Sequence, residues 1–496
     1  MRNRRTAPVW RRSWVTFSNS SASAATLSLA MTATRPDPAS PARPIRTLLG
    51  DPAPWRSTQR ERETLVLAVI AAGGLAVLGL WWANNPGRDL HTFADRLTGA
   101  GRISGLLGTY LVLVQVVLMA RLPWLDRWIG TDRLASWHRS NGQYTIGMLV
   151  AHTVLIIWGY AAADRVSLTQ ETARLIRSYP DVLAATVALG LLVAVSITSA
   201  RVAQRRLRYE TWYFVHLYTY LAIALAFSHQ LATGNEFITH PANRALWVGL
   251  YVLTFGLLVV YRVAVPIRDA FRYQLRVASI ETEGADAVSV YVTGRNIERM
   301  RAEAGQFFRW RFLDRRSWWE AHPFSLSAAP NPQFMRITAK GVGDHSRALR
   351  HVHRGTRVMA EGPYGNLTAR RRTHQRVLLI AGGVGVTPLR ALLETLPAGP
   401  GDITLLYRAR AERDLLFRGE LDELARIRRI DVRYLLGRRD KRPSPLSAGR
   451  LRQHVPDIAD RDVYLCGPSG MMDVAERSLR SLKVPRSQVH RERFEL

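Results

Sequence analysis

The chain has 496 residues, and its 69 Lys and Arg residues against 39 Asp and Glu residues give a formal net charge of +30. Only three of the basic residues are lysines, and the arginines are spread along the chain, whereas nucleic-acid-binding proteins concentrate basic residues on one face or arm. We therefore expect no nucleic-acid partner. The single cysteine excludes an intrachain disulfide and a cysteine-ligated zinc or iron–sulfur centre.

The N-terminal segment, residues 1–60, is rich in Ser, Ala, Pro, Thr and Arg and has no sustained apolar period. This composition predicts a disordered basic tail. Arg11 and Arg12 resemble the start of a twin-arginine export signal, but the stretch that follows is too polar for the apolar region of such a signal. Met31 is an alternative start of the chain.

Six apolar blocks follow, each close to the ~20 residues that a membrane-spanning helix needs. One block alone would fit a buried helix of a soluble protein, but six in succession predict an all-helical, multi-pass membrane domain over residues 61–265. The lipid bilayer is therefore an expected partner. The blocks are Leu65–Trp82, Ile103–Ala120, Thr145–Ala163, Val182–Ala200, Thr211–Ala232 and Ala245–Ala264.

The distribution of arginine predicts the orientation of these blocks. The second connection carries four arginines between Arg121 and Arg139, and the fourth carries four between Arg201 and Arg208. The third connection has three arginines, and the stretch from Thr233 to Asn243 in the fifth has none. Because arginine-rich connections stay on the cytoplasmic side, both termini are predicted to be cytoplasmic, with the protein in the cell membrane.

Four histidines form two pairs: His138/His152 bracket the third span, and His216/His229 bracket the fifth. A lone intramembrane histidine commonly bonds a neighbouring helix, but two matched pairs on helices that run in the same direction indicate ligands. Neutral imidazole is a good axial ligand for haem iron. We therefore expect two stacked bis-histidine sites, one formed by His138 with His216 and one by His152 with His229. His216 and His229 are thirteen residues apart, which puts them on different faces of an ideal helix. We therefore expect a kink, a bulge or an oblique haem at this helix.

Residues 268–370 contain short alternating strands, which predict an antiparallel β-barrel or sandwich. A flavin needs an aromatic surface for its ring, a hydroxyl near N5 and donors for its pyrophosphate. Phe324 and Ser325 suit the first two needs, and Ser346 suits the third. Each motif alone would fit an ordinary strand or turn, but together they indicate FAD. The predicted flavin-binding residues are His322, Pro323, Phe324, Ser325, Gly343 and Ser346.

Residues 375–496 alternate strands and helices, which predicts a parallel α/β domain that binds NAD(P)H. A glycine-rich loop between a strand and a helix lets the backbone approach a phosphate, and Thr387 is the expected N-cap with Pro388 in the first turn. A later strand ends where ligands dock on a parallel sheet. The predicted nucleotide-binding residues are Gly382, Gly383, Gly385, Thr387, Pro388, Arg408, Gly467 and Pro468.

Arginines near the carboxyl ends of two strands favour NADPH over NADH. Guanidinium pairs with phosphate through two hydrogen bonds. Arg408 and Arg410 follow one strand, and Arg438 and Arg439 follow the next. In a chain this rich in arginine, an ordinary solvated surface is the alternative.

Taken in order, the histidine pairs, His322-Pro-Phe-Ser, Gly382-Gly-x-Gly-x-Thr-Pro and Cys466-Gly-Pro resemble the ferric reductase and NADPH oxidase superfamily, a six-helix haem domain fused to a ferredoxin–NADP reductase-like dehydrogenase. The resemblance implies hydride entry at Cys466 with Glu492 nearby. It also implies that Phe494 covers the flavin until nicotinamide displaces it. Ser325 stands where the oxidases commonly have threonine, and two residues follow Phe494.

These features together predict a transmembrane oxidoreductase. Electrons would pass from cytoplasmic NAD(P)H through FAD and two b-type haems to a small acceptor outside, either O2 or a ferric chelate, with Ser325, Cys466, Glu492 and Phe494 as the catalytic residues. A quinone or a periplasmic redox partner is an alternative acceptor. A transporter with a regulatory nucleotide-binding domain is a more distant alternative, disfavoured because the apolar blocks lack Asp, Glu and Lys.

Overall fold

A computed structural model of the chain describes residues 53–85, 90–200, 209–284, 286–314, 318–341, 349–437 and 444–493. Several predicted positions lie outside these ranges. They are residues 1–52 of the tail, the arginines of 201–208, and Gly343, Ser346, Arg438, Arg439 and Phe494.

Ten helices fill the first part of the described chain, the last of them joined to its predecessor by a π-turn at Val260–Ala264. They are α1 (Ala53–Asn84), α2 (Phe93–Leu118), α3 (Pro123–Ile129), α4 (Thr131–Asp164), α5 (Leu168–Ser178), α6 (Val182–Ser199), α7 (Tyr209–Thr233), α8 (Asn235–Ile238), α9 (Pro241–Val259) and α10 (Val265–Tyr273).

Within the described residues, five helical stretches are long and apolar enough to cross a membrane: Glu61–Asn84, Phe93–Leu118, Thr131–Asp164, Val182–Ser199 and Pro241–Tyr273. Only in Phe93–Leu118 is more than half of the apolar window buried; in the other four the buried share is 11%. Apolar side chains that face outward on several helices are typical of a lipid-covered surface.

The prediction of six apolar spans is therefore confirmed for five. The remaining block, Thr211–Ala232, forms the single helix α7, but α7 is not among the five. Its histidines, tyrosines and Gln230 lower its hydropathy, since these side chains are polar. That α7 also crosses the membrane stays a proposal.

The helices share a buried core centred on α2. Leu113 of α2 lies in one cluster with Trp81 of α1, Ile223 of α7 and Trp247 of α9. α7 is thus packed against the bundle through part of its surface, because Ile223 and Phe227 contribute to the same core.

Six strands follow: β1 (Arg276–Glu283), β2 (Ala287–Thr293), β3 (Phe307–Phe312), β4 (His322–Ser325), β5 (Met335–Lys340) and β6 (Val358–Tyr364). They form two three-stranded antiparallel sheets, in the orders β1-β2-β5 and β4-β3-β6. Both sheets contribute to one apolar core. Two isolated bridges, Arg276 to Arg357 and Leu326 to Ile337, connect them. The predicted closed barrel is not confirmed, because the continuous hydrogen-bonded ladders stop at three strands.

The last part of the chain is a parallel α/β sheet, as its alternating pattern predicts. Its elements are β7 (Arg376–Gly382), α11 (Val386–Thr395), β8 (Ile403–Ala409), α12 (Arg418–Arg428), β9 (Asp431–Leu436), α13 (Ala448–His454), β10 (Arg461–Gly467), α14 (Ser469–Ser481) and β11 (Val489–Arg493). The strand order is β11-β10-β7-β8-β9, with every neighbouring pair parallel. All the carboxyl ends therefore lie at one edge of the sheet, where ligands dock.

The helical bundle contacts the two-sheet part directly. Arg121, between α2 and α3, forms an ion pair with Glu361 of β6. The ring centroids of Phe214 in α7 and of Trp319, between β3 and β4, are 6.0 Å apart. The flavin-type motifs are thereby held next to the ends where α4 and α7 begin.

Candidate functional site

The structure brings the four histidines of α4 and α7 together across the bundle. The ring centroids of His138 and His216 are 6.1 Å apart, with 61° between the ring planes. Two metal–imidazole bonds of about 2 Å each would separate facing ring centroids by roughly 6 Å. His152 and His229 lie within electrostatic reach of each other. The rings of His138 and His216 are therefore close enough to hold one metal between them, and the pairing of His152 with His229 stays a proposal.

On α4, each histidine meets a backbone carbonyl of α2. His138 Nδ1 is 3.3 Å from the Gln115 carbonyl oxygen, and His152 Nδ1 is 2.8 Å from that of Gly101. Because a carbonyl oxygen only accepts hydrogen bonds, Nδ1 of each ring must carry the proton. The lone pair is then on Nε2, which is the atom available to a metal.

On α7, hydroxyl groups take the place of the carbonyls. His216 Nδ1 lies 3.4 Å from Ser199 Oγ, and His229 Nδ1 lies 2.9 Å from Thr233 Oγ1. All four rings are therefore held at Nδ1, as metal-ligating histidines are in general. α7 is α-helical throughout Tyr209–Thr233, so the expected bulge is not found there, and an oblique haem stays a proposal.

Gly105 of α2 lies directly against His152. A Cβ atom at this position would come within 2.5 Å of Nδ1 and 2.9 Å of Cε1 of the imidazole. The backbone of α2 therefore passes the ring only because residue 105 has no side chain. This close approach also lets the nearby Gly101 carbonyl oxygen accept the hydrogen bond from His152.

Gly105→Ala is expected to push the His152 ring away from α2 and to lower the amount of haem bound at the His152/His229 pair. A haem-to-protein ratio from the pyridine haemochrome spectrum measures this loss. Gly147→Ala is the matched control, because Gly147 lies in α4 with His152 and a Cβ there meets nothing within 4 Å. Equal haem content in both variants would contradict the positioning argument.

In the two-sheet part, β3 lies between the strands that carry the flavin-type motifs. Phe307 of β3 is in register with Ser325 on one side and Tyr364 on the other. Ser325 is 3% exposed, and its hydroxyl oxygen has no hydrogen-bond partner among the described groups. A buried hydroxyl without a partner is costly, so Ser325 fits a site whose partner is a bound group. Phe324 is half-buried.

His322 and Pro323 lie at the start of β4, further along the same strand. His322 Nε2 is 3.3 Å from Glu320 Oε2, and Pro323 is exposed. Pro323 is therefore the exposed residue of β4, and Ser325 is the buried one.

The glycine-rich loop follows β7 as predicted, but its helix begins earlier. Gly383 adopts a positive φ of 54°, which turns the chain directly after the strand. Gly385 is the N-cap of α11. The prediction that Thr387 caps the helix is therefore wrong: Thr387 is the second helical residue, and its hydroxyl donates to the Val384 carbonyl at 2.9 Å. Pro388 lies in the first turn.

The ends of three parallel strands meet at this loop. A Cβ atom at Gly385 would lie 2.5 Å from the carbonyl carbon of Cys466 and 2.7 Å from Gly467 Cα. Gly467 ends β10 and Pro468 is the N-cap of α14. The glycine loop and the Cys-Gly-Pro motif are thus packed backbone to backbone.

Glu492 completes this cleft. It pairs in register with Cys466 across β10 and β11, and a Cβ at Gly365 would be 2.8 Å from Glu492 Oε1. Its Oε2 has no hydrogen-bond partner among the described groups. Burial raises the pKa of the Cys466 thiol and of the Glu492 carboxyl well above their usual values, and the charge of Asp132 raises both further. Burial therefore favours the neutral form of both groups.

Sequence reasoning missed the acidic residues that the bundle contributes. Asp126 of α3 is buried, with Thr131 donating to it at 3.3 Å, and burial raises its pKa to about 6. Asp132, at the start of α4, acts on Glu492 as described above. Both aspartates lie in the arginine-rich second connection, between Arg121 and Arg139. Their presence among arginines is the sequence feature that could have indicated them.

Arg408 lies at the carboxyl edge of β8, as expected for a phosphate-binding residue. Its Nη1 donates to the carbonyls of Ala409 at 2.8 Å and Leu435 at 2.9 Å. Arg410, two residues further on, is exposed. Part of the Arg408 guanidinium is therefore used by the backbone, and Arg410 is the freer of the two.

Three family models match the chain. The ferric reductase like transmembrane component matches residues 104–227, an FAD-binding domain matches 272–368, and the oxidoreductase NAD-binding domain matches 379–477. Together the three matches correspond to a fusion like that of ferric reductases and NADPH oxidases. The chain is a membrane oxidoreductase with FAD- and NAD-binding domains of ferredoxin–NADP reductase type.

Reductases are among the relatives that match part of this ferric reductase-like chain. The chain is 33% identical over 192 residues to ferredoxin–NADP reductase B of Sorangium cellulosum, covering 35% of this chain and 77% of the relative. It is 30% identical to the ferredoxin reductase component of 3-ketosteroid-9-alpha-monooxygenase of Mycolicibacterium smegmatis, covering 45% of this chain and 65% of the relative. The chain thus spans less than two thirds of this second relative.

A solved structure, the FAD/NAD-binding domain of nitric oxide dioxygenase from Vibrio cholerae, covers 45% of the ferric reductase-like chain and 98% of its own, with 25% identity and a TM-score of 0.37. Within the membrane family match lie His138, His152 and His216, and the match ends two residues before His229.

Proposed function

We propose that this protein carries electrons from cytoplasmic NAD(P)H, through FAD and two b-type haems, to a small acceptor on the outer side of the cell membrane. The observation that supports this most strongly is the convergence of the motifs. Gly385 packs against Cys466, Cys466 pairs with Glu492, and Glu492 lies beside Gly365, next to Phe307, which pairs with Ser325. Such an arrangement suits a hydride donor, a flavin and a membrane electron path in series.

Phe324 and Ser325 fit FAD. The unpartnered hydroxyl of Ser325 and the half-buried ring of Phe324 are suited to the polar and aromatic parts of the isoalloxazine. When bound, FAD supplies the conversion between two-electron and one-electron transfer. Burial raises the pKa of Glu492 and so favours its neutral form, which can hold a proton beside Cys466.

The residues of the bundle fit haem. The facing imidazoles of His138 and His216 suit the iron of a haem, whose porphyrin would supply the remaining ligands. His138 and His152 would ligate through Nε2, because their Nδ1 atoms bond carbonyls. Bound haem supplies one-electron chemistry.

The fifth connection, on the predicted outer side, is short and favours a small acceptor such as O2 or a ferric chelate, whereas the third carries the eleven-residue helix α5. The connection between α7 and α9 holds only the one-turn helix α8. Its buried Glu236 accepts hydrogen bonds from Asn84 at 2.8 Å and Asn85 at 2.7 Å. These bonds tie the connection back onto the end of α1, which leaves little surface for a protein partner.

An absorption spectrum of the purified protein tests this function against the transporter alternative. We expect b-type haem bands together with a flavin band, both bleached or shifted when NADPH is added without oxygen. A preparation with neither chromophore after supplementation with FAD and haem would overturn the proposal.

We also propose a preference for NADPH. Arg410 is exposed beside the carboxyl edge of β8 and can pair with a 2′-phosphate. Arg410→Gln is expected to raise the KM for NADPH about tenfold while leaving the KM for NADH unchanged. Steady-state kinetics with both nucleotides measure this, and a wild-type kcat/KM that is equal or better with NADH would contradict it.

A further inference from the structure

A buried ion network joins the two halves of the dehydrogenase. Arg336 of β5, in the flavin half, is 4% exposed, and its two terminal nitrogens donate to the two carboxylate oxygens of Glu420 at 2.8 and 3.0 Å. Glu420 belongs to α12, in the nicotinamide half. Arg390 of α11 reaches the same carboxylate at 2.5 Å. One glutamate therefore holds an arginine from each half of the site in paired, charge-assisted bonds, which are strong.

The same two arginines hold the segment that follows Ser325. Arg336 Nη2 donates to the Ser327 carbonyl at 2.7 Å, and Arg390 Nη1 donates to it at 3.2 Å. A second bond, from Arg336 Nε, reaches Ser327 Oγ at 3.2 Å. Ser327 is two residues beyond Ser325, whose hydroxyl is unpartnered among the described groups. The network therefore fixes the backbone directly after the flavin motif.

On the other side, the network lies close to the glycine loop. Arg390 is on α11, which starts at Val386 directly after Gly385. Burial raises the pKa of Glu420, but the hydrogen bond from Arg336 and the charge of Arg390 outweigh it, so the net shift is downward and the carboxylate stays ionised. Removing its charge would leave buried guanidinium groups without their counter-charge.

We propose that Glu420 is a positioning residue that fixes the distance and angle between the flavin motif at Ser325 and the nucleotide loop at Gly385, and so sets the rate of hydride transfer. This inference rests on the proposed function. Glu420 touches neither motif, and acts only through Arg336 and Arg390. Small errors in such an alignment are costly, since about 1 Å of misplacement can slow a reaction about a hundredfold.

The test compares Glu420→Gln with Glu423→Gln in the full-length protein loaded with FAD. Glu423 lies on the same helix but bonds Arg426 within that helix, at 2.9 and 2.6 Å, so it is a matched control. In anaerobic stopped-flow experiments, we expect Glu420→Gln to lower the limiting rate of flavin bleaching by NADPH about tenfold or more. Flavin content and the NADPH concentration for half-maximal rate should change less than about twofold. Glu420→Asp, which keeps the charge, should recover part of the rate.

Amide hydrogen exchange provides a second readout without nucleotide. The Ala329 amide bonds Glu394, which also pairs with Arg390 at 2.6 Å. Exchange at Ala329 and in the first turn of α11 should quicken in Glu420→Gln and not in Glu423→Gln. An unchanged limiting rate, or unchanged exchange, in Glu420→Gln would overturn the inference. If neither NADPH nor NADH bleaches the flavin even in the wild type, the proposed function fails, and the exchange result still decides whether Glu420 couples the two halves.

Discussion

Replacing His229 with alanine is expected to remove the haem held between α4 and α7 at the His152/His229 pair and to stop electron transfer across the membrane. NADPH should still bleach the flavin, because Ser325 and Gly385 belong to the dehydrogenase and are unchanged. The reduced-minus-oxidised spectrum should lose about half of its haem amplitude. His152→Ala should give the same result, since one missing axial ligand leaves the iron held on a single side.

His240→Ala is the control for these variants. His240 lies in the connection beyond α7, is exposed, and bonds only the neighbouring Thr239, at 2.8 Å. It should retain full haem amplitude and full transfer to the acceptor. If His152→Ala and His229→Ala both keep the full amplitude as well, the pairing of the histidines is wrong.

Gly385→Val is expected to lower the rate at which NADPH reduces the flavin by about a hundredfold or more. The haems should remain reducible by dithionite. A side chain at this position would meet the backbone of Cys466 and Gly467 within 2.5 and 2.7 Å. These atoms belong to the backbone of β10, which cannot move aside as a flexible side chain can. The loop must then leave β10, and the nucleotide site is lost.

Gly419→Ala separates this effect from general damage to the nicotinamide domain. Gly419 lies in α12, where a Cβ meets nothing within 4 Å, and alanine favours the helix. Its rate of flavin bleaching should equal that of the wild type. A Gly385→Val protein that is reduced at more than about a tenth of the wild-type rate would contradict the close packing of the loop against β10.

The order of the motifs and the spacing of the histidines were enough to predict the domain order and the candidate histidine pairs. His138 and His216 could be paired from the sequence because helix geometry relates spacing to depth in the membrane, and the structure places their rings 6.1 Å apart. The parallel sheet could be predicted because strands and helices alternate in its sequence.

Features that depend on distant contacts could not be predicted. Thr387 has the side chain of an N-cap, but the turn at Gly383 starts the helix two residues earlier. α7 is helical, yet its polar side chains make its own sequence a weak signal of a span. The pairing of Arg336 with Glu420 links residues 84 positions apart, and no local pattern reports such a contact.

The central claim is that electrons cross the membrane in one direction, from a cytoplasmic dehydrogenase to an acceptor outside. The most direct measurement uses sealed proteoliposomes in which NADPH is added only on the dehydrogenase side. Impermeant cytochrome c or a ferric chelate is enclosed, in separate preparations, in the opposite compartment. We predict reduction of one of them, with sensitivity to superoxide dismutase separating an oxidase from a metal reductase. Reduction that occurs only when the acceptor and NADPH share a compartment would contradict the account.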